Sequence, residues 1–356
     1  MNMSPLSAAQ TALLEEFRAG RRVALARTIS IVENERPGFQ LILSELHDSL
    51  GGAQRIGITG PPGAGKSTLT GALASAFREK GETVAIVAVD PSSPFTGGAL
   101  LGDRIRMSEI STDPGIFIRS MAARGSLGGL ATTTREVIDL LDAYGFDRIL
   151  IETVGVGQSE LDIAATADTT LVVLVPESGD SVQAMKAGLM EISDLFVVNK
   201  ADRPGADKLA REIEISLRFR SGDFLRHVPA HHGVDLATIR ARREAREAAR
   251  KRMEEDPTHW AIPVMKTIAE TGQGVPELIE VLDRHRSWLD ESGEGAARAE
   301  ARLAERVREV VERELKKLVW KERGGEELLD EALPALREGT ESPYDIAARI
   351  VREIEL

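Results

Sequence analysis

Residues Gly60, Pro61, Pro62, Gly63, Ala64, Gly65, Lys66 and Ser67 have the G-x-x-x-x-G-K-[ST] spacing of a phosphate cradle. Glycines let consecutive backbone N–H groups point into one concavity, and the N-terminus of a following helix adds a favourable dipole for phosphate oxygens. In such a loop, which includes the next residue Thr68, the Lys66 ammonium reaches the β- and γ-phosphates and the Ser67 hydroxyl ligates Mg²⁺.

Three other polar clusters follow apolar runs. Val89 leads into Asp90, Ile151 into Glu152, and Val198 into Asn199, Lys200, Ala201 and Asp202. The last has the Asn-Lys-x-Asp pattern. A carboxylate such as Asp202 accepts two hydrogen bonds, and guanine offers adjacent donors at N1 and the exocyclic N2 amine, whereas adenine offers a ring acceptor and nothing beside it. Asn199 is expected to add a contact to the base, and the Lys200 stem to cover its plane. The nucleotide expected is therefore GTP or GDP.

Asp90 and Glu152 are the acidic candidates for the metal environment, and Asp103, in the stretch Leu101 to Met107, is a third. A carboxylate at a strand end beside Ser67 either binds Mg²⁺ directly or holds one of its waters, and the sequence does not rank the three. Gly155 follows Glu152 with the spacing of a γ-phosphate sensor whose usual Asp is replaced by Glu. Val156 stands where many regulatory GTPases place a water-orienting Gln, and Gln158 lies two residues on, so intrinsic hydrolysis is expected to be slow and partner-stimulated.

These residues need a scaffold that brings strand ends together. Arg55 to Thr59, Thr83 to Val89, Arg148 to Ile151, Thr170 to Val175 and Leu195 to Val198 are apolar runs of strand length separated by helical patterns. That alternation predicts an α/β fold with a mainly parallel sheet covered on both faces and its ligand at the carboxyl ends of the strands. Before it, Leu13, Leu14, Phe17, Leu25, Ile29 and Val32 recur at helical spacing, with a break at Pro37 and Gly38. After it, Val275 to Leu282 begins a closing helix, and Leu303, Val307, Val310, Val311, Leu315 and Leu318 mark one face of a long charged helix. Gly324 and Gly325 end that helix, and Ser342, Pro343 and Asp345 have the types and spacing of an N-cap, N1 and N3. The expected division is a helical segment at 1–50, a P-loop domain at 51–291 with a charged helical insertion at about 222–258, and a helical arm at 292–356.

The 356 residues carry a formal net charge of −12, which argues against general nucleic-acid binding. With no cysteine there is no disulfide, thiolate catalysis or Cys-ligated metal. The start lacks a secretory pattern and no run approaches a membrane span, so a cytoplasmic protein with no membrane association is expected.

Taken together, residues 60–68, 89–107, 119–131, 152–160, 174–192 and 199–202 resemble the MeaB/ArgK family of GTPases, within the SIMIBI class of P-loop proteins. The resemblance spans most of residues 1–220 and resumes near Pro263. It implies a metallochaperone-like G protein that gates cofactor loading and protection of an adenosylcobalamin-dependent acyl-CoA mutase, chiefly methylmalonyl-CoA mutase. A cob(I)alamin adenosyltransferase is a possible further partner. It also implies switch segments at about 90–107 and 152–160, and a third within 177–190 where Asp180, Gln183 and Lys186 couple nucleotide state to the mutase. Ala269 belongs to the loop that touches the base from its far side, although Ile268 stands there in place of the usual Ser.

The resemblance makes the C-terminal arm a homodimerisation element; the alternative is that it packs back on its own G domain. The basic stretch Leu236 to Glu255 reads as a solvated helix or a docking face. Two other functions compete. A nickel-insertion GTPase needs a ligand cluster, and of six His only His231 and His232 are adjacent. A transport-linked kinase or ATPase needs a substrate pocket or membrane partner and conflicts with the guanine pattern.

Overall fold

The computed structural model describes residues 5–91, 110–123, 132–153, 162–176, 188–220 and 259–353. The apolar runs form strands β1 (Gln54–Thr59), β2 (Val84–Pro91), β4 (Arg148–Thr153), β5 (Thr169–Leu174) and β6 (Leu195–Val198). Two more strands lie at the sheet's edges, β3 (Ile116–Ala123) and β7 (Val264–Lys266). All neighbours pair in parallel in the order β3-β2-β4-β1-β5-β6-β7.

Parallel strands need crossovers, and helices supply them. Helix α4 (Lys66–Glu79) follows β1, α5 (Thr132–Tyr144) precedes β4, α6 (Ala206–Arg220) follows β6, and α7 (Val275–Ser292) follows β7. Side chains alternate across each strand, so Leu150 on β4 joins α4 and α7 on one face while Ile149 and Ile151 face the other. On that other face sit α1 (Ala8–Arg18), α2 (Arg22–Glu33), α3 (Phe39–Glu45) and α5, through Phe17, Leu25, Ile29 and Leu141. The N-terminal helices therefore share a core with the sheet. Burial on both faces is why the central strands read as apolar stretches without strict alternation.

The start of β1 is held by one carboxylate. Asp142 at the end of α5 accepts the N–H groups of Gly51, Gly52 and Ala53 at 2.9–3.0 Å and pairs with Arg55 at 2.8 Å. Burial works against the Arg55 charge, but Asp139, Asp142 and Asp168 outweigh it and hold its pKa above the ordinary arginine value. This anchor fixes the strand whose other end becomes the phosphate loop.

The chain divides into two compact units, Met1–Gly295 and Ala296–Leu356. Helix α8 (Glu294–Lys317) carries Leu303, Val307, Val311 and Leu315 exposed at intervals of four residues. In the second unit α9 (Gly325–Glu338) and α10 (Pro343–Glu353) bury Ala332, Ile346 and Ile350 against Val319, Trp320 and Leu336. Ser342 and Asp345 form the expected reciprocal cap, with the Ser342 N–H donating to Asp345 at 3.1 Å and the Asp345 N–H to Ser342 Oγ at 3.3 Å.

Candidate functional site: a phosphate loop tied to three strand ends

The chain turns at Gly60 with φ +135°, and a Cβ there would lie 2.1 Å from the Val173 carbonyl oxygen of β5. Only glycine permits both the dihedral and that approach. At Gly65, the N-cap of α4, φ is +85° and a Cβ would lie 2.5 Å from the Asn199 amide nitrogen. The loop is thus shaped against β5 and the end of β6.

Lys66 is buried, and its Nζ donates to the carbonyls of Gly60 at 2.8 Å and Pro61 at 3.1 Å. The ammonium occupies the curve of the loop. Ser67, one residue into α4, donates its hydroxyl to Glu152 Oε1 at 2.5 Å, a length usual for a hydroxyl meeting an ionised carboxylate. Glu152 is buried on β4 at the register position of Ile58 on β1 and Ala88 on β2. Beside it the Thr153 and Thr59 hydroxyls lie 3.2 Å apart, closing the gap between the ends of β4 and β1.

Asn199, directly after β6, is buried and bonded in two directions. Its Nδ2 donates to Ala64 in the phosphate loop at 2.9 Å, and its Oδ1 accepts from the Thr267 hydroxyl and the Ala269 N–H, each at 3.1 Å. Lys200 adopts φ +54° and donates Nζ to Gly63 at 2.9 Å. The Asn-Lys pair therefore fastens the phosphate loop to the loop after β7. Backbone bonds complete the join, from Thr267 N–H to Val198 and from Ala201 N–H to Thr267, both at 3.0 Å. The Ile268–Gln273 bridge closes the loop at 267–274 and leaves the Ile268 side chain no part in these bonds.

Asp202 is exposed, beside an open cavity of about 440 Å³ lined by residues 201–208 and Arg211. Pro62, Gly63 and Thr68 are exposed as well, whereas Ala64 is buried. The backbone of Asp90 lies in β2 one position beyond Val89, which pairs with Thr153, so it sits at the same sheet edge as Glu152. Asp103, Gly155, Asp180, Gln183 and Lys186 lie outside the described residues, as do Val156, Gln158 and the basic stretch at 236–255.

The structure thus brings Lys66, Ser67, Glu152, Asn199 and Lys200 to one edge, where Asn199 is engaged with two loops and not turned to an open base site. Sequence reading missed Thr267, whose signal was its place just ahead of Ile268 and Ala269. The Ser67 hydroxyl and Glu152 carboxylate are adjacent hard oxygen donors, which fits Mg²⁺. Among the described residues no group of three or more His, Asp or Glu forms a cation cage of its own. Mg²⁺ takes few protein ligands and completes its shell with phosphate oxygens and water, so the two requirements agree. No helix among the described residues is long and apolar enough to cross a membrane.

Residues 25–324 match the family described as Methylmalonyl Co-A mutase-associated GTPase MeaB. A Pyrococcus horikoshii protein designated a GTPase is 46% identical over 299 residues, covering 84% of this chain and 84% of its own. The mitochondrial methylmalonic aciduria type A homolog of Mus musculus is 33% identical over 296 residues, covering 78% of this chain and 63% of its own. Among solved structures, an LAO/AO transport system kinase superposes over 99% of this chain and 100% of its own with TM-score 0.64 at 23% identity, a likeness of fold.

Proposed function

The chain belongs to the Methylmalonyl Co-A mutase-associated GTPase MeaB family, and on that premise we propose that it is a GTP-driven switch for an adenosylcobalamin-dependent acyl-CoA mutase. The observation that carries the nucleotide half of this reading is the fastening of the phosphate loop, through Asn199 and Lys200, to a strand end that presents an exposed Asp202. A carboxylate so placed pairs with N1–H and N2–H of guanine, and the same carboxylate facing adenine loses both donors.

Each residue has a task in binding and hydrolysis. Lys66 would exchange the Gly60 and Pro61 carbonyls for β- and γ-phosphate oxygens, which are stronger acceptors. Ser67 and Glu152 would hold Mg²⁺, directly or through a water, and Asp90, whose backbone lies in β2 at that edge, is the further candidate. When bound, the ion neutralises charge on the phosphates. Asp103 and Gly155 belong to the two nucleotide-sensing segments, and Asp180, Gln183 and Lys186 to the segment that passes nucleotide state to the mutase. Intrinsic turnover is slow and the mutase accelerates it.

The mutase assignment rests on the family. The expected partners are methylmalonyl-CoA mutase and, joining it, a cob(I)alamin adenosyltransferase, in the cytoplasm. The exposed apolar stripe of α8 supports a homodimer built from the C-terminal arm at 292–356, following a G domain at 51–291 in the sequence. The deciding experiment is capture of candidate acyl-CoA mutases in GDP and in a non-hydrolysable GTP analogue, with GTP turnover measured alongside. State-dependent capture and faster turnover are expected. Equal capture in both states with no change in turnover defeats the switch, and preferential ATP binding defeats the guanine assignment in favour of a kinase or ATPase.

A further inference from the structure

His285 sits in α7 and is fully buried, away from the phosphate loop at the opposite edge of the sheet. Its Nδ1 lies 2.8 Å from the Thr169 hydroxyl at the start of β5, and its Nε2 lies 3.5 Å from Asp194 Oδ1 in the turn before β6. Two indoles flank the ring, Trp260 at 4.6 Å between centroids and Trp288 at 5.5 Å, the latter stacked at 22°. The surround is itself fixed. Trp260 Nε1 donates to the Asp194 carbonyl at 2.8 Å, and Asp194 Oδ2 accepts the Thr170 N–H at 2.9 Å.

We propose that His285 is a buried imidazolium paired with Asp194, and that its proton is a strut tying α7 to the N-terminal edge of β5 and β6. Burial disfavours the charged ring, so the partners must outweigh it. Asp194 supplies an opposite charge in a low-dielectric setting, and the stacked face of Trp288 attracts a cation. The Thr169 hydroxyl accepts from a protonated Nδ1 as readily as it donates to a bare one, so it is satisfied in both charge states. Other charged groups on the packed elements have their own settings. Asp168, beside Thr169, accepts the Arg55 N–H at 2.8 Å, while Arg284 and Arg286 on α7 and His259 next to Trp260 are exposed.

The position gives the strut a consequence. Helix α7 begins directly after the loop at 267–274 that holds Asn199, so fixing the helix at His285 steadies the element on which that loop is mounted. The partners of the imidazolium exist only in the folded chain, so the folded protein binds this proton more tightly than the unfolded one. Stability from the pair is complete below the ordinary histidine value, about 6.5, and is lost as pH rises through the folded value.

The test is a long-range ¹H–¹⁵N titration of the imidazoles in the full-length protein from pH 6 to pH 9.5, on wild type and Asp194→Asn. The expected wild-type result is a His285 ring protonated on both nitrogens at pH 7.5, losing its proton on the alkaline side, with Trp emission rising in step. In Asp194→Asn the carbonyl oxygen still accepts from Thr170, and the ring is expected to be neutral at pH 7.5. Thermal melts of wild type and His285→Gln should differ in their pH dependence, the wild type losing about 2 °C or more relative to the variant between pH 7 and the alkaline limit. A wild-type ring neutral at pH 7, or one that stays protonated in Asp194→Asn, overturns the proposal. If His285→Gln fails to fold, the two titrations decide alone.

Discussion

The Ser67 hydroxyl donates to Glu152 Oε1 at 2.5 Å, joining the first turn of the helix after the phosphate loop to the end of β4, the neighbour of the central strand β1. That contact preorganises two oxygen ligands from elements 85 residues apart in sequence. Glu152→Gln retains the hydrogen bond to Ser67 and removes the charge. GTP turnover is expected to fall by about 100-fold or more while nucleotide affinity changes much less, because the charge matters most where phosphate charge shifts in the transition state. Phosphate release and fluorescent-nucleotide titration, run on the same preparation, separate the two effects. Unchanged turnover removes Glu152 from the metal environment.

Asp202 is exposed beside the loop that Asn199 and Lys200 hold in place. Replacing its carboxylate by an amide leaves an acceptor for N1–H and puts an N–H₂ group where guanine's exocyclic amine would be. Xanthine has a carbonyl oxygen at that position. Asp202→Asn is therefore expected to lose GDP affinity by about 10- to 100-fold, equivalent to roughly 1.4–2.8 kcal/mol, and to gain relative affinity for xanthosine diphosphate. Competition between the two diphosphates measures the ratio, and a variant that still prefers GDP as strongly as wild type places the base elsewhere.

Asn199→Ala removes three hydrogen bonds at once, leaving the Ala64 carbonyl and the Ala269 N–H to find new partners in a buried setting. A stability loss of about 2–4 kcal/mol is expected, larger than for Lys200→Ala, whose bond to Gly63 is exposed. Urea unfolding compares the two. The variant should also show a higher nucleotide dissociation rate, since the Lys200 bond to Gly63 and the backbone bonds around Thr267 would then be left to tie the phosphate loop to the loop after β7.

The legible parts of the fold and of the site share a physical cause. Strands β1, β2, β4, β5 and β6 are buried on both faces, so each carries an apolar stretch of strand length with its polar residues mostly at the ends. The edge strand β3 carries Arg119 and Ser120 in its middle, and β7 spans three residues, so neither stands out from the polar chain around it. Lys66 and Ser67 are recognisable because one contiguous loop defines their chemistry. The Asn-Lys-x-Asp pattern singles out Asn199 and predicts a contact to the base, but its observed hydrogen-bonding partners lie 68 to 135 positions away, and only the parallel register of β1, β5, β6 and β7 brings them within reach. The pairing of His285 with Asp194 is hidden for the same reason, 91 residues apart in a chain where neither forms a motif.

Acid sensitivity should arise at the edge of the sheet opposite the nucleotide site. Asp147 Oδ2 accepts the Thr83 N–H and hydroxyl, each at 2.7 Å, and holds the turn before β4 to the chain entering β2. Burial pushes its pKa up, but the two Thr83 bonds and the charges of Arg148 and Arg286 outweigh that and leave it below the ordinary aspartate value. Asp283 is lowered in the same way, burial being outweighed by its bonds to Lys80 and Arg148. A carboxylate with a lowered folded pKa contributes stability that is present above the unfolded value, about 3.9, and is lost as pH falls through the folded value. Asp147→Asn should therefore be less stable than wild type at pH 7, with the gap narrowing as pH falls below about 4. Urea midpoints at pH 7, 5 and 3.5 test this, since a gap of constant size at all three would mean that Asp147 acts through shape and hydrogen bonding alone and that its charge contributes nothing to the fold.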